Sequence, residues 1–323
     1  NGELTNLGGF TGVDSGGFWE YTLSGVSASE AQAILQTLVF VPNENQVEPG
    51  GTVTTTFFVT TTDNATSESL GEDSLTSVIA LSVNDPTQFN RLASQVVFQE
   101  NAVNQAPQVL DSDVAIWDVD AGFDMSGGSI KVSYYDYDSS TGTYSPATGL
   151  SEDNLTMVDG THENGRTVDV SWNPFDIAVG GTITINGRSV WTATVEGDGK
   201  AGSDLLIRLG DDVNTEIMAW MVDSMAQSLA YWNSSDTPTA SRYIGITLTD
   251  REGAETTRYM EIQVVAENDA PVITIPDTRT ADLDITDKET TEPFADYEVN
   301  DPEGDPVTVT ITLDDPDKGT LDT

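Results

Sequence analysis

The sequence VVAENDAPVI, residues 264–273, is an apolar strand that ends in Glu267, Asn268 and Asp269 just before a proline. A close relative, LSVNDPTQ, occupies residues 81–88, so the pattern occurs more than once. Short runs of Val, Ile, Thr, Tyr and Phe recur along the chain between Gly, Asp, Asn and Pro, a composition typical of strands joined by turns. The sequence therefore predicts an all-β fold.

The charge of the chain limits its partners. Its 323 residues include 12 basic and 54 acidic side chains, which gives a net charge of −42. This balance excludes a nucleic-acid binder that works by neutralising phosphates, and it disfavours an anionic membrane surface. Surface carboxylates repel one another unless counter-ions lie among them, so we expect bound divalent cations. The chain has no cysteine, so disulfides, thiolate zinc sites and thiol nucleophiles are not available.

The chain is long enough for two or three domains. We find no signal peptide, no apolar run long enough to span a membrane and no lipidation motif. We therefore expect no membrane insertion in this chain, and we interpret it as a piece of a longer protein.

Two segments show a helical pattern among the strands. In SASEAQAILQTLVF, residues 27–40, Ser27 and Glu30 have the spacing of a capping box. In NTEIMAWMVDSMAQSLAYW, residues 214–232, Asn214 is the expected cap. The apolar stripe of this second helix is predicted to contain Met218, Met221, Val222, Met225 and Leu229. Both are predicted to be short connector helices that face a core.

The sequences after the two helices are alike, which indicates an internal repeat. LVF leads to TTTFFVTTTD, which ends at Asp63, and LAY leads to SRYIGITLTD, which ends at Asp250. Each then runs through one more strand to SVND or AEND. The front of the module also occurs twice, from Ala106 and from Ala270, each time as Ala-Pro, an acidic cluster and a strand. We expect a string of Ig-like or cadherin-like β-sandwich modules, each with one short helix.

Only the middle of the chain has both a front and a back of this module. We therefore predict three parts, in which residues 1–99 form the back half of a split domain, 100–269 form an extended ligand-binding sandwich, and 270–323 form the front half. A half sandwich leaves the apolar face of its sheet exposed, so the two halves are predicted to pack together.

The acidic clusters lie where predicted strands end at module junctions. Calcium binds six to eight oxygens from carboxylates, carbonyls and amides, and one such loop supplies several of them. Turn chemistry also favours Asp and Asn, but it does not require so many acids against their mutual repulsion. The predicted metal ligands are Asn84, Asp85, Asp118, Asp120, Asp124, Asp250, Glu252, Glu267, Asn268, Asp269, Asn300, Asp301, Glu303 and Asp305.

A family resemblance rests on these motifs taken in order. DVDAGFDMSGGSIKVSY, SEDNLTMV, GSDLLIRL, a helix, SLAYWNSSDTPTASRYIGITLTDREG and VVAENDAP resemble the cadherin-like calcium-binding repeats of very long bacterial RTX adhesins exported by type I secretion. The flanking sequences, including FADYEVNDPEGDPVTVTITL, look like another repeat of those proteins. The resemblance implies an extracellular location on a bacterial surface, calcium as the bound ion, and a middle segment similar to the peptide-binding domain of that family.

Two extended segments of the middle part are candidates for ligand binding. Residues 134–149 are predicted to form a hairpin that turns at residues 140–142, and residues 159–176 are an extra segment with the only histidine. The resemblance implies capture of the C-terminal end of a peptide with the help of calcium. The predicted metal or polar contacts are Asp136, Asp138, Asp159, Glu163 and Asp176, and the predicted apolar walls are Tyr144, His162 and Trp172.

Two other functions fit the same sequence. Calcium that chelates sugar hydroxyls beside a Tyr or Trp ring would make a carbohydrate-binding module, and a chain without any ligand would be a passive calcium-stiffened spacer. An enzyme is not expected, because the single histidine lacks a nucleophile elbow and no P-loop occurs. We expect a monomer.

Overall fold

The computed structural model describes residues 2–66, 69–120, 124–162, 165–211, 217–275, 283 and 285–321. Strands arranged in sheets make up most of its regular structure, and the helices are short. The predicted all-β fold is therefore confirmed. No helix in the described part of the chain combines the length and the apolar character needed to cross a membrane.

The first part of the chain consists of two-stranded antiparallel sheets. β1 pairs with β4, β2 with β3, and β5 with β6. Phe40 on β4 packs edge-on against Phe57 on β5, with ring centroids 5.2 Å apart. The elements are β1 (Gly2–Thr5), β2 (Thr11–Asp14), β3 (Trp19–Thr22), α1 (Ala28–Leu35), β4 (Val39–Pro42), β5 (Thr52–Thr62) and β6 (Ser69–Leu81).

Helix α1 begins as the sequence predicts. Ser27 Oγ accepts a hydrogen bond from the Glu30 N–H, and the Glu30 carboxylate accepts one from the Ser27 N–H, which completes the capping box. The predicted apolar face consists of Ala31, Ile34, Leu35 and Leu38. It is half-buried at Ala31, Ile34 and Leu38 and exposed at Leu35. No described residue of this helix is fully buried.

The middle part contains two main sheets that share one core, together with a two-stranded antiparallel sheet formed by residues 88–90 and 115–117. Its elements are β7 (Gln88–Asn90), β8 (Gln95–Gln99), α2 (Glu100–Gln105), β9 (Gln108–Val109), β10 (Ala115–Trp117), β11 (Ser129–Asp138), β12 (Thr143–Pro146), β13 (Asp153–Met157), β14 (Gly160–His162), β15 (Arg166–Val170), β16 (Thr182–Ile185), β17 (Arg188–Asp198), β18 (Leu205–Leu209), α3 (Ala219–Ala226), β19 (Leu229–Asn233), β20 (Ser241–Thr249) and β21 (Glu255–Val265).

The large sheet has the order β14-β15-β16-β17-β18-β11-β20-β21-β8, and β12 pairs with the far end of β11. The small sheet has the order β13-β19-β9. All pairs of the large sheet are antiparallel except β21 and β8, which run parallel. Strand β8 precedes the predicted domain boundary at residue 100, so the middle unit also takes in strands from residues 88–99.

Alternation along the strands builds the core between the two sheets. On β21, Met260, Ile262 and Val264 are buried while the intervening residues are not, which is the period of a strand with one face inward. Leu155 and Tyr231 of the small sheet join the same cluster. Each such side chain contributes about 1.5–3 kcal/mol when it leaves water. All fully buried apolar side chains of the described residues lie between Val103 and Val264.

Helix α3 covers part of this core, but it is shorter than the sequence predicts. Met221, Val222 and Met225 are buried as expected. Met218 is the N-cap residue and is 44% exposed, while Leu229 is the first residue of β19, so neither belongs to the helical stripe. The chain leaves the helix after Ala226 because the next residues pair with β13. The predicted cap, Asn214, lies outside the described residues.

The last part of the chain pairs β22 (Val272–Thr274) with β23 (Glu298–Asn300) and has one 3-10 turn at Pro316–Lys318. The alternating sequence at 307–313 was expected to form a strand, but the structure gives it no sheet pairing. Its four apolar side chains are between 39% and 55% exposed. A strand needs a neighbour for its hydrogen bonds, and the pairing of this part with residues 1–99 stays a prediction.

A tight backbone contact fixes the turn that ends at Gly202. Gly202 has φ +79°, its N–H donates to the Asp153 carbonyl, and its carbonyl accepts from the Gly149 N–H. A Cβ at this position would overlap the Gly149 carbonyl. Only glycine therefore allows the two segments to approach.

We expect Gly202→Ala to destabilise the protein by more than the roughly 1–2 kcal/mol that a left-handed conformation costs an alanine. Gly142→Ala is the matched control, because Gly142 has a similar φ of +70° with no atom within 4 Å of the added Cβ. Urea unfolding of both variants measures the difference. Equal losses of stability would show that the close approach to Gly149 is unimportant.

Candidate metal centre

Two parallel neighbouring strands of the large sheet, β8 and β21, bring acidic residues together where they end. Glu100 follows β8 directly and Glu267 lies two residues after β21. The Glu267 N–H donates to Glu100 Oε2 at 2.8 Å, and the Asn101 N–H donates to Glu267 Oε2 at 3.1 Å. These reciprocal bonds fix both carboxylates at the end of the sheet. We call this region the C-terminal acidic cluster. It contains Glu100, Asp236, Glu267, Asp269 and Glu303, together with Asn104, whose side-chain N–H donates to the carbonyl of Ser235 next to Asp236.

Carboxylate oxygens converge in this cluster. One oxygen each from Glu100, Asp236 and Asp269 lie within 4.8 Å of one another. Asp236 comes from the loop after β19, and the Asp269 N–H donates to Glu303 Oε2 at 3.2 Å. The cluster therefore joins the middle unit to residues of the last part of the chain.

Several buried oxygens of the cluster have no hydrogen-bond donor. Glu100 is fully buried, yet its Oε1 has no partner. The same holds for Oδ1 of Asn104 and Oε1 of Glu303. A buried carboxylate oxygen without a donor costs free energy. Burial raises the pKa of Glu100 above its usual value, and the charges of Asp269, Glu303 and Asp236 raise it further, against one lowering bond from Glu267.

This donor set fits a hard divalent cation. All of its members are carboxylate or amide oxygens, which calcium prefers and which zinc in structural sites does not. A cation here would neutralise the repelling carboxylates and occupy the unpaired oxygens. Glu100, Asp236, Asp269, Asn104 and Glu303 are the residues that would hold it. The predicted ligands Glu267, Asp269 and Glu303 are thus brought together.

A second cluster lies where the first part of the chain meets the middle unit, and we call it the N-terminal acidic cluster. Its members, all predicted from the sequence, are Asn84, Asp85, Asp118, Asp120, Asp250 and Glu252. The Asn84 side chain donates to Asp250 Oδ2 at 2.9 Å, and the Asp85 N–H donates to Asp120 Oδ2 at 2.8 Å. The loop after β6 and the turn between β20 and β21 are joined in this way.

Carboxylates also repel one another in the N-terminal acidic cluster. Burial raises the pKa of Asp120, and the charges of Asp118, Asp85 and Asp250 raise it further. Asp120 Oδ1 is buried without a hydrogen-bond partner. The pKa of Glu252 is raised by burial first and then by Asp250 and Asp120. A cation would relieve this repulsion as well.

Other predicted metal ligands have protein partners of their own. Asp124 Oδ1 accepts from the N–H groups of Ser126 and Ile217, and its Oδ2 pairs with Arg251 at 2.6 Å. These donors hold the pKa of Asp124 below its usual value in spite of burial. Asp301 Oδ1 accepts from the Asp305 N–H at 2.9 Å.

The remaining two predicted metal ligands have exposed side chains. Asn268 donates from its amide to the neighbouring Asp269 carbonyl. Asn300 lies on β23 opposite Val272. Metal ligation by these residues, and by Asp124, Asp301 and Asp305, stays a prediction.

The predicted hairpin at 134–149 is present as β11 and β12. Asp136 lies opposite Ser145 in the ladder, and Asp138 caps the turn by accepting from Ser140 N–H at 2.8 Å and from the Thr141 hydroxyl at 3.0 Å. The Ser140 hydroxyl also donates to Asp138, and this bond contributes most to the lowered pKa of Asp138. The bonds from the Ser140 N–H and from Thr141 lower the pKa further. The ring of Tyr144 stacks on Tyr259, with centroids 3.9 Å apart.

The segment 159–176 is less loop-like than expected, because β14 and β15 extend the large sheet at its far edge. Asp159 Oδ1 accepts from the Val170 N–H, and Asp176 pairs with Lys200 at 2.5 Å. Trp172 packs against the core with its indole nitrogen buried and unpaired. His162 Nε2 lies 2.9 Å from the Ser228 hydroxyl. Glu163 lies outside the described residues.

In the sheet order, five strand spacings separate β14 from β11, so the two candidate segments begin on distant strands. The contacts of the first segment lead to β20 and β21, and those of the second lead to Ser228 and Lys200. A shared ligand pocket between them stays a prediction.

His162 allows a test by pH. Burial lowers its pKa, so the folded state favours the neutral ring. The unfolded chain binds the proton more readily, and stability is therefore lost as the pH falls through the usual histidine value. We expect wild type to lose more stability than His162→Gln between pH 7.5 and 5.5, measured by urea unfolding. Gln keeps a polar group for Ser228 and cannot titrate, so parallel pH profiles would contradict a neutral, half-buried His162.

Glu100, Asn104 and Asp236 were not predicted from the sequence. A signal for Glu100 was present, because QVVFQEN at 95–101 resembles QVVAEN at 263–268, and the two strands are parallel neighbours. Asp236 lies in SSDTP, which reads as an ordinary turn. Four further tyrosines beside Tyr144 were also missed, namely Tyr135, Tyr137, Tyr243 and Tyr259.

Comparisons with known proteins give only distant structural similarity. No family model and no curated protein matches the chain. Among solved structures, a protocadherin gammaB7 EC3-6 cis-dimer is similar at 13% identity over 85% of this chain and 44% of that chain, with a TM-score of 0.23. Drosophila N-cadherin EC1-4 is similar at 16% identity over 73% of this chain and 64% of that chain, with a TM-score of 0.16. The chain thus covers less than two thirds of either relative, and the function proposed below is based on its own residues.

Proposed function

We propose that this chain is a calcium-dependent fragment of an extracellular bacterial adhesin. In this function, cations at the two acidic clusters stiffen the junctions on either side of the middle unit. The observation that carries the proposal is the convergence of Glu100, Asp236 and Asp269 around buried oxygens without donors. Twelve basic side chains cannot balance 54 acidic ones, which also favours bound cations. The resemblance to RTX adhesin repeats supports the location on a cell surface.

We propose that the middle unit binds the C-terminal ends of proteins on another cell. Calcium supplies positive charge that can accept a ligand carboxylate in a strongly negative protein. The candidate contacts are those of the two extended segments, Asp136, Asp138, Tyr144, Asp159, His162, Glu163, Trp172 and Asp176. The split domain predicted from residues 1–99 and 270–323, without the strands at 88–99 that belong to the middle unit, would hold this unit in the longer protein.

Calcium binding is tested by isothermal titration of wild type, Glu100→Gln and Glu20→Gln. Glu100→Gln keeps the shape of the side chain but removes a ligand charge, so we expect calcium affinity to fall by about tenfold or more at one site. Glu20 is exposed on β3, and its variant should bind like wild type. Unchanged binding in Glu100→Gln would remove the C-terminal acidic cluster from the proposal.

Ligand binding is tested with an array of peptides, each with a free or an amidated C-terminus. We expect retention of free carboxylates only, and only in calcium rather than in chelator. Equal retention of amidated peptides would contradict capture of the chain end. Retention of glycans instead of peptides would replace this function by carbohydrate binding.

A further inference from the structure

Five of the nine tyrosines lie together on the outer face of the large sheet. We call this group, Tyr135, Tyr137, Tyr144, Tyr243 and Tyr259, the tyrosine platform. We infer that the tyrosine platform binds a segment of a protein partner that presents arginine or lysine side chains. This surface includes no member of the two acidic clusters. Because Tyr144 is also a candidate contact of the proposed peptide site, binding with and without calcium distinguishes the two functions.

Strand register places all five rings on the same face. Tyr137 lies opposite Tyr144, and Tyr135 lies opposite Tyr243. The neighbouring residues Tyr134, Ile244 and Met260 are buried in the core, so the platform residues point to the other side. Tyr137 is 38% exposed and the other four rings are half-buried. The platform is therefore part of the surface.

The rings contact one another across four strands. Tyr144 on β12 stacks on Tyr259 on β21, although β11 and β20 lie between them in the sheet. Tyr137 lies 4.8 Å from Tyr144 and 5.1 Å from Tyr243, between ring centroids. Gly245 makes room for this arrangement, because a Cβ there would meet the ring of Tyr135. The rings are thus held in place before any partner arrives, which reduces the entropy lost on binding.

Outside the platform, this face of the large sheet has small polar side chains, as expected for a face exposed to solvent. Ser133, Thr247 and Thr257 occupy it, and the two threonine hydroxyls bond to each other at 2.8 Å. Aromatic side chains that are clustered and partly exposed are enriched at protein interfaces, because they bury a large area with few rotatable bonds. A surface for binding explains this concentration of tyrosines.

The charges around the tyrosine platform indicate which kind of partner binds there. Glu261 lies opposite Tyr243 on the same face. Burial raises the pKa of Tyr243, and the charge of Glu261 raises it further. Lys131, whose charge acts on Tyr135, pairs with Asp204 at 2.8 Å. Ring faces carry negative potential and attract cations, and a carboxylate at their rim adds to that attraction.

The chain uses the same interaction internally. The Arg166 guanidinium lies 4.6 Å from the ring centroid of Trp220, and that of Arg242 lies 5.2 Å from Tyr231. On the platform, the rings have no such partner among the described residues. A neutral sugar would stack on the rings but would gain nothing from Glu261 as a charge, so the charges favour a basic peptide.

The test measures binding of three capped peptides, acetylated and amidated, with the sequence Gly-X-Gly-X-Gly and X as arginine, lysine or glutamine. Binding is followed by isothermal titration at 150 mM salt, in calcium and in chelator. The variants are Tyr137→Ser with Tyr144→Ser, Tyr144→Phe, Glu261→Gln and the control Tyr297→Ser, which lies outside the platform. Circular dichroism and thermal melting show whether each variant is folded.

We expect the arginine and lysine peptides to bind and the glutamine peptide not to bind, with or without calcium. The double serine variant should weaken binding about tenfold, Glu261→Gln severalfold, and Tyr144→Phe little, because Phe keeps the ring. Equal weakening in Tyr297→Ser would show non-specific attraction and overturn the inference. Absence of binding by the basic peptides, or equally tight binding of the glutamine peptide, would also overturn it. If the double variant does not fold, an unchanged affinity in Glu261→Gln decides against the inference.

Discussion

Removal of calcium with a chelator is expected to lower the melting temperature of this protein by about 10–20 °C. A ligand that binds only the folded state stabilises it by about 2.7 kcal/mol per site at a hundred times its dissociation constant, so two occupied sites give about 5 kcal/mol. For domains of this size, each kcal/mol shifts the melting temperature by roughly 2–4 °C. The physical source is the relief of repulsion in both acidic clusters, where the pKa values of Glu100, Asp120 and Glu252 are raised.

Scanning calorimetry in calcium and in chelator measures this effect. Glu100→Gln should reduce the difference between the two conditions, because it removes one repelling charge and one ligand at once. Glu20→Gln, with its exposed carboxylate, should keep the full difference. An unchanged melting curve in excess chelator would mean that the clustered acids serve only as turn residues.

Asp153→Ala is expected to destabilise the middle unit by about 3–5 kcal/mol, because it removes the nearer carboxylate of the buried Arg242 and leaves it only the more distant Glu152 Oε1, at 3.3 Å. Arg242 Nε lies 2.9 Å from Asp153 Oδ1 as an ion pair without full hydrogen-bond geometry. The Tyr231 hydroxyl donates to the same oxygen at 2.6 Å, and the Asn233 amide donates to it at 3.2 Å. Burial raises the pKa of Tyr231, and the charge of Asp153 raises it further, so this phenol stays a donor.

Urea unfolding of Asp153→Ala and Asp204→Ala measures the contribution of burial. Asp204 pairs with Lys131 on the surface, where both side chains are more than 40% exposed, so its loss should cost less than about 1 kcal/mol. The double variant Asp153→Leu with Arg242→Met should recover part of the stability, because an apolar pair of similar volume removes both buried charges. Equal effects of Asp153→Ala and Asp204→Ala would contradict a stabilising role for the buried pair.

Much of the local structure could be predicted from the sequence. The capping box of Ser27 and Glu30, the turn of the 134–149 hairpin and the alternation on β21 all depend on residues close in sequence. The prediction of α3 was wrong at Met218 and Leu229, because pairing of β19 with β13 overrides a helical apolar pattern. The alternation at 307–313 did not produce a strand, since alternation specifies a face but not a neighbour.

In the candidate sites too, some residues could be predicted from the sequence and others could not. The acids at 84–85, 118–120, 250–252 and 267–269 were predicted because strands end there, and strand ends follow from local patterns. The sequence could not show that Glu100 meets a loop residue 136 positions later, at Asp236, or that Tyr144 stacks on Tyr259 across the sheet. Those contacts depend on the parallel pairing of β8 with β21 and on the path of the β11–β12 hairpin.

The sequence by itself therefore determined the all-β character of this protein, its turns, and the excess of acids at the ends of its strands. Only the tertiary structure decided which carboxylates converge, which tyrosines form one surface, and which polar side chains are buried without partners. The physical reason is that alternation and turn chemistry act over a few residues, whereas sheet order and register set distances between residues far apart in the chain.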